Sequence, residues 1–290
     1  MARMYYALQS VQTETAPVYG VQSIGASSQG DQQPVFQLGQ LGAYGAYTTE
    51  DNPVEVTISK QLDGRSTLYE SFGSAGFQFN FWTNAGEASG VGSATPTKSL
   101  VFKNPTLSSL TYTFEVDGVA SEELTMIGDH LTDTGTYSVV YMDPTKNEPT
   151  SLATRANVKE IRINNSVVTG FESVSISWTK NIESLYELGR FRNTERYITY
   201  PTEVTVDLTQ NVTSMDALGS ANTETNGDCA GSTGGLGNNS ISIELCDGYK
   251  ITIIGTVETS TSYQGGDTSG AQLQLVRSFT AWDGFSAVRI

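Results

Sequence analysis

One stretch of this sequence occurs twice, and the duplication constrains the fold more than any other feature. The clearer copy runs from Gly170 to Leu208. It opens with Val174, Ile176 and Trp178 alternating with Ser173, Ser175 and Ser177, the period of two of a half-buried strand. A long polar segment follows up to Tyr200, and alternation resumes at Pro201-Thr202-Glu203-Val204-Thr205-Val206. The earlier copy runs from Gly20 to Lys60. Gly20, Ser23, Ser27, Leu38 and Gly39 recur as Gly170, Ser173, Ser177, Leu188 and Gly189, each displaced by 150 (189 against 39). Beyond the polar segment, Pro53, Glu55, Val56 and Thr57 recur as Pro201, Glu203, Val204 and Thr205, displaced by 148 (203 against 55). Strand, polar segment and strand in the same order imply duplicated β modules, with a two-residue length change expected in the intervening loop.

A chain of 290 residues accommodates two ordinary domains, each with its own core. The expected division is a first module over residues 1–131, a junction over 132–156 and a second module over 157–290. With 29 glycines and only 16% charged residues, the composition suits strands and turns. Each module reads as six to eight strands with one short helix, an antiparallel sandwich or barrel. Apolar spacing after Ser66 predicts a helix to Phe72, with a counterpart at Ser214–Leu218. Thr13 to Val18 reads as a turn, Tyr137 to Met142 as a strand in the junction, and Asp247-Gly248 as a hairpin turn inside the second module. The polar segments Ser28–Asn52 and Thr179–Thr199 read as long loops, which in a compact domain are functional or disordered.

The composition excludes several kinds of chemistry. A single histidine, His130, rules out serine–histidine triads and histidine metal clusters, and there is no glycine-rich phosphate loop. The chain is therefore expected to be no enzyme and to need no cofactor or metal. A formal charge of −15 makes a poor adhesive for nucleic acid, itself a polyanion. Glu122, Glu123, Asp129 and Asp133 read as solvated carboxylates, and Trp82, Trp178 and Trp282 as core or interface anchors. Cys229 and Cys246 read as reduced thiols. The first residues, MARMYYALQSVQTE, show no apolar signal-peptide core, and no apolar run approaches a membrane span, so a soluble protein made in a cytoplasm is expected.

The two polar arms are the unusual feature. The second concentrates Leu185, Tyr186, Leu188, Arg190, Phe191, Arg192, Arg196 and Tyr197, and the first carries Phe36, Leu38, Tyr44 and Tyr47. Aromatic, leucine and arginine side chains gathered on one arm have the composition of a protein–protein interface.

A strand with an SISW step, a polar arm containing ESLYELGR and a return strand YPTEVTVDL resemble the tail tube proteins of long-tailed bacteriophages. The resemblance covers Gly170 to Leu208 best, Gly20 to Lys60 less well, and the rest only in architecture. It implies a module whose inner sheets join between subunits into a ring-shaped β-barrel, normally of six modules. Two modules per chain then imply a homotrimeric ring with pseudo-sixfold symmetry, or a homohexamer if the second module is an external decoration. Rings stack into a tube through the arms. The implied setting is the virion tail, assembled in the host cytoplasm. Its implied partners are a tape measure protein inside, a sheath outside in contractile tails, and baseplate and terminator proteins at the ends. Genomic DNA passes without specific binding, and no membrane is involved. Two other readings stand beside this one: a baseplate hub or distal tail protein, and a carbohydrate-binding or adhesive pair of β-sandwiches.

Overall fold

A computed structural model describes residues 9–13, 16–28, 32–39, 41–48, 53–72, 76–81, 98–132, 152–190, 193–212, 239–264, 273–282 and 284–289. Nearly all of it is antiparallel β structure. The first half contains β1 (Gln9–Gln12), β2 (Pro17–Val18), β3 (Val21–Ser28), β4 (Gln32–Phe36), β5 (Ala43–Thr48) and β6 (Val54–Gln61), then helix α1 (Leu68–Phe72). It continues with β7 (Phe77–Phe81), β8 (Lys98–Lys103), β9 (Thr106–Glu115), β10 (Ser121–Gly128) and β11 (His130–Thr132). The second half contains β12 (Val158–Ile163), β13 (Ser166–Val168), β14 (Phe171–Leu185), β15 (Glu195–Asn211), β16 (Ser240–Leu245), β17 (Tyr249–Ile254), β18 (Val257–Gln264), β19 (Gln274–Ala281) and β20 (Phe285–Arg289).

These strands form a central eight-stranded sheet, β18-β19-β15-β14-β9-β10-β6-β3, two five-stranded sheets and the two-stranded β4–β5 hairpin. The five-stranded sheets run β11-β8-β7-β1-β2 and β13-β12-β16-β17-β20. Their apolar faces merge with that of the central sheet into one cluster, including Val56, Ile58, Leu124, Met126, Ile176 and Val206 from the central sheet and Phe77, Phe102, Ile243 and Ile251 from the others. Period-two patterning produces this layering: in β6, Val54, Val56, Ile58 and Lys60 are buried and the residues between them face outward.

The pairing register repeats between the halves. In the first, Val21 pairs with Lys60, a bulge follows, and Ser23 pairs with Ser59. In the second, Phe171 pairs with Gln210, a bulge follows, and Ser173 pairs with Thr209. Both strands are displaced by 150 (171 against 21, 210 against 60). The bulge in β10–β9, between the Thr125–Ser109 and Met126–Leu107 pairs, recurs in β19–β18 between Ser278–Ser260 and Phe279–Glu258. The five-stranded sheets correspond as well: Val11–Val18 and Val11–Phe79 recur as Ile161–Val168 and Ile161–Ile243. Gly20 and Gly170 mark the start of each copy with φ of 75° and 88°. Each accepts a backbone N–H, from Gln61 and from Asn211, and a Cβ there would lie 3.0 and 3.2 Å from the same two residues' carbonyl oxygens. Glycine is required by conformation and by space together.

Four sequence expectations are corrected. The polar segments are β-hairpins, not loops: β14 and β15 stay paired out to Leu185 and Glu195, and β4 pairs with β5. In β14–β15 one face holds half-buried Ile182, Ser184, Arg196 and Ile198, and in β4–β5 the described side chains are exposed, so neither hairpin shows the clean apolar alternation that marks a half-buried strand. The displacement is 150 throughout β3–β6 and β14–β15, so no two-residue length change separates the copies, and Glu55 corresponds to Thr205, not Glu203. The Thr13–Val18 stretch includes the β2 strand. Glu122 is fully buried, not solvated. The α1 helix forms where expected. Ser214–Leu218, Tyr137–Met142, Trp82, Asp133 and Cys229 lie outside the described residues, as does most of the junction.

Candidate functional site

The central sheet is two quartets joined edge to edge. β3, β6, β10 and β9 form the first, and β14, β15, β19 and β18 the second, fused by the β9–β14 ladder. That ladder pairs Val174 with Phe114, Ile176 with Tyr112, Ser177 with Thr111 and Trp178 with Leu110. Among the described residues, no strand pairs with the outer edges, β3 and β18. An open edge presents a row of unpaired N–H and C=O groups, a template for another strand. The β3 edge is the counterpart of β14, and the β18 edge is the counterpart of β9.

The hairpins project from these quartets. At their tips Leu38 and Leu188 are 102% and 107% exposed, each followed by a glycine with φ near +90°. Phe36, Leu41, Leu185, Tyr186 and Tyr197 are also exposed. Arg190 forms an exposed ion pair with Glu187, and the Tyr197 hydroxyl donates to Glu183. Arg196 differs from its neighbours. Its side chain is only 5% exposed and pairs with Asp129, a carboxylate expected to be solvated, which also accepts from Asn104. It anchors the tip end of the hairpin to the first half and is not part of the outer face. Tyr44 and Tyr47 lie on β5, paired with Phe36's strand, and Phe191 and Arg192 fall outside the described residues.

A buried polar cluster at the junction between halves carries no signal in the sequence. The Glu122 carboxylate accepts hydrogen bonds from the Leu68 and Tyr69 amides at the start of α1 and from the Tyr112 hydroxyl, at 2.6, 3.0 and 2.8 Å. Tyr112 in turn meets the Tyr249 hydroxyl at 2.8 Å, which links β9 to β17 of the second half. Burial raises the Glu122 carboxyl above the usual carboxylate range, against the opposing pull of those donors and of Lys60. Burial and the Glu122 charge push Tyr112 well up, and burial raises Tyr249 too. Lys60, also buried, pairs with Asp63 at 3.0 Å and donates to the Tyr19 carbonyl at 2.7 Å. Around this cluster Tyr69, Trp178 and Phe285 pack ring against ring, with Trp178 and Phe285 centroids 4.6 Å apart. Trp178 thus serves as an anchor between halves, whereas Trp282 is 41% exposed. Every member of the cluster is satisfied by a neighbour, which suits a rigid structural joint better than a reaction centre.

Among the described residues no cluster of three or more His, Cys, Asp or Glu side chains is placed to hold a metal, and no helix is long and apolar enough to cross a membrane. Cys246 is a free, exposed thiol. No protein-family model matches the chain, and no curated protein matches its sequence.

Proposed function

We propose that the chain is a structural subunit that assembles with copies of itself into rings through its sheet edges, and that the rings stack into the tube of a bacteriophage tail. One observation carries the reading. The two quartets repeat in register and bulge position, and the β9–β14 ladder joins them inside the chain while the equivalent edges, β18 and β3, pair with no strand among the described residues. An interface that joins the halves of one chain head to tail can join successive chains by the same operation. Transferring the β9–β14 register gives the pairing between copies: Gln264 opposite Gly25, Tyr263 opposite Ala26, Ser262 opposite Ser27 and Thr261 opposite Ser28. Tyr263 then takes the place that Tyr112 holds inside the chain.

The hairpins supply the stacking contact. Burying a fully exposed leucine contributes roughly 1.5–3 kcal/mol, and each chain offers Leu38, Leu41 and Leu188 on projecting tips. The charge of −15 suits a conduit that lets DNA slide without adhering.

The test is a double variant, Ser27→Cys with Ser262→Cys, in a chain whose own Cys229 and Cys246 are changed to Ser. Directly opposed antiparallel residues have Cα atoms about 4.5–5.5 Å apart, within disulfide reach. Mild oxidation should produce a covalent ladder that either single variant lacks. Negative-stain images should show hollow filaments. A chain that stays monomeric with no ladder refutes self-assembly. Isolated rings that never stack point instead to a hub or distal tail protein.

A further inference from the structure

The two halves differ where the tip ends of the hairpins sit, and the difference points to a second contact between copies. Inside the chain, residues 193–196, where the β14–β15 hairpin returns from its tip, face Asn104, Pro105, Thr106 and Asp129 across a cleft of about 290 Å³. This contact is polar on both sides and is closed by the Arg196–Asp129 pair. The repeat register assigns each position a counterpart. The segment Asn193-Thr194-Glu195-Arg196, just after the hairpin turn, corresponds to Ala43-Tyr44-Gly45-Ala46. The seat Asn104-Pro105-Thr106 corresponds to Gly255-Thr256-Val257, with Asn104 and Gly255 both left-handed (φ 51° and 76°). Asp129, which follows Gly128 opposite Val54, corresponds to Trp282, which follows Ala281 opposite Val204.

The exposed counterpart positions are apolar on both sides. Ala43, Gly45 and Ala46 are exposed on β5. Ile254, Val257 and Trp282 form an exposed apolar surface, at 48%, 36% and 41%. Inside one chain these two surfaces sit at opposite ends of the central sheet, beside β3 and β18. The charged pair Arg196 and Asp129 and the polar Asn193, Glu195 and Thr106 correspond to Ala46, Trp282, Ala43, Gly45 and Val257, so polarity is lost on hairpin and seat together, which is the pattern of two surfaces that meet. We infer that the Ile254–Val257–Trp282 surface receives the tip end of the β4–β5 hairpin, residues Ala43 to Ala46, of the next copy of this chain. The inference rests on the edge-to-edge assembly proposed above and adds a specific seat to it. It makes the joint between chains a hydrophobic one and the joint within a chain an ion-paired one.

Charge grafting tests this. Trp282→Asp and Ala46→Arg each place an unpaired charge in an apolar contact, and the double variant rebuilds the Arg–Asp pair of the internal joint. Self-association of the full chain is followed by sedimentation velocity, and edge pairing by the Ser27→Cys/Ser262→Cys cross-link in each background. Each single variant should weaken association at least about tenfold, a difference of one decade in equilibrium constant, and the double should recover to within about threefold of wild type. All four residues exchanged or introduced lie at exposed positions, and unchanged circular dichroism and melting temperature verify the fold. Single variants that associate and cross-link like wild type overturn the seat alone. Losses without recovery in the double overturn it as well. Absence of cross-linking and association in the wild-type background overturns the assembly reading with it.

Discussion

Replacing Glu122 by Ala tests how the two halves are locked together. The substitution removes three hydrogen bonds to one buried carboxylate and leaves the Leu68 and Tyr69 amides without acceptors at the start of α1. Each orphaned buried donor costs about 1–3 kcal/mol, and removing one member of a buried charged network typically costs about 3–5 kcal/mol. Relief of the buried negative charge offsets part of this, so a loss of about 3–4 kcal/mol is expected. Glu122→Gln keeps the shape but turns an N–H toward one of the two amides, so about 1–2 kcal/mol is expected. Urea unfolding followed by tryptophan fluorescence is the assay, because Trp178 packs on Tyr69 and Phe285 beside the cluster. The pH dependence has a definite sign. A carboxyl whose folded pKa is raised gives stability that is complete below its unfolded pKa and is lost as pH rises through the folded value. The advantage of wild type over Glu122→Gln should therefore shrink from pH 5 to pH 8. A loss under about 1 kcal/mol for Glu122→Ala, or an advantage that grows with pH, refutes the account.

Three further outcomes follow from the same geometry. Tyr112→Phe and Tyr249→Phe, combined in a double-mutant cycle, should show a coupling of about 0.5–1.5 kcal/mol for their shared hydrogen bond; additive effects would mean that it does not tie the halves together. Gly170→Ala should destabilise by about 1–2 kcal/mol for its left-handed backbone alone, more if the Asn211 carbonyl cannot yield, as read by thermal melting. Leu38→Asp with Leu188→Asp should leave melting temperature unchanged, since both tips are fully exposed, while abolishing filaments and sparing the Ser27–Ser262 cross-link.

The repeat was legible because Gly20, Gly170, Leu38 and Leu188 are held by backbone geometry or position at equivalent points. The strand cores were legible from alternation, as in Val54, Val56 and Ile58. The register of β6 against β15 was not. A slip of two residues keeps every side chain on its own face, so matching Glu55-Val56-Thr57 to Glu203-Val204-Thr205 satisfies hydropathy as well as the true pairing does. Only the bulge positions and ladder partners separate the two. The hairpin strands were hidden because the less exposed face of β14–β15 mixes Ile182 and Ile198 with Ser184 and Arg196, which gives no clean apolar period. Glu122 was hidden for another reason: its donors at Leu68 and Tyr69 lie more than fifty residues away, and nothing local distinguishes it from the neighbouring, exposed Glu123. Arg196 was recognised as an interface residue, but its partner Asp129 belongs to the same chain.

The duplication also constrains how the proposed ring closes. Edge pairing of β18 on β3 is heterologous, so nothing in the contact itself limits the number of copies; closure depends on the curvature gained per quartet. Each chain contributes two quartets covalently, so a closed ring contains an even number of them, whatever the curvature. Six quartets correspond to three chains, and the joints then alternate between the Arg196–Asp129 type and the Trp282 type around the circle. Native mass spectrometry of rings released from filaments should give three chains per ring. The exhaustively oxidised Ser27→Cys/Ser262→Cys ladder should end at the same number, because the third disulfide closes the circle. A ladder that runs past three without a terminal species refutes threefold closure while leaving the edge register intact, and a closed ring of six chains would hold twelve quartets, twice the number proposed.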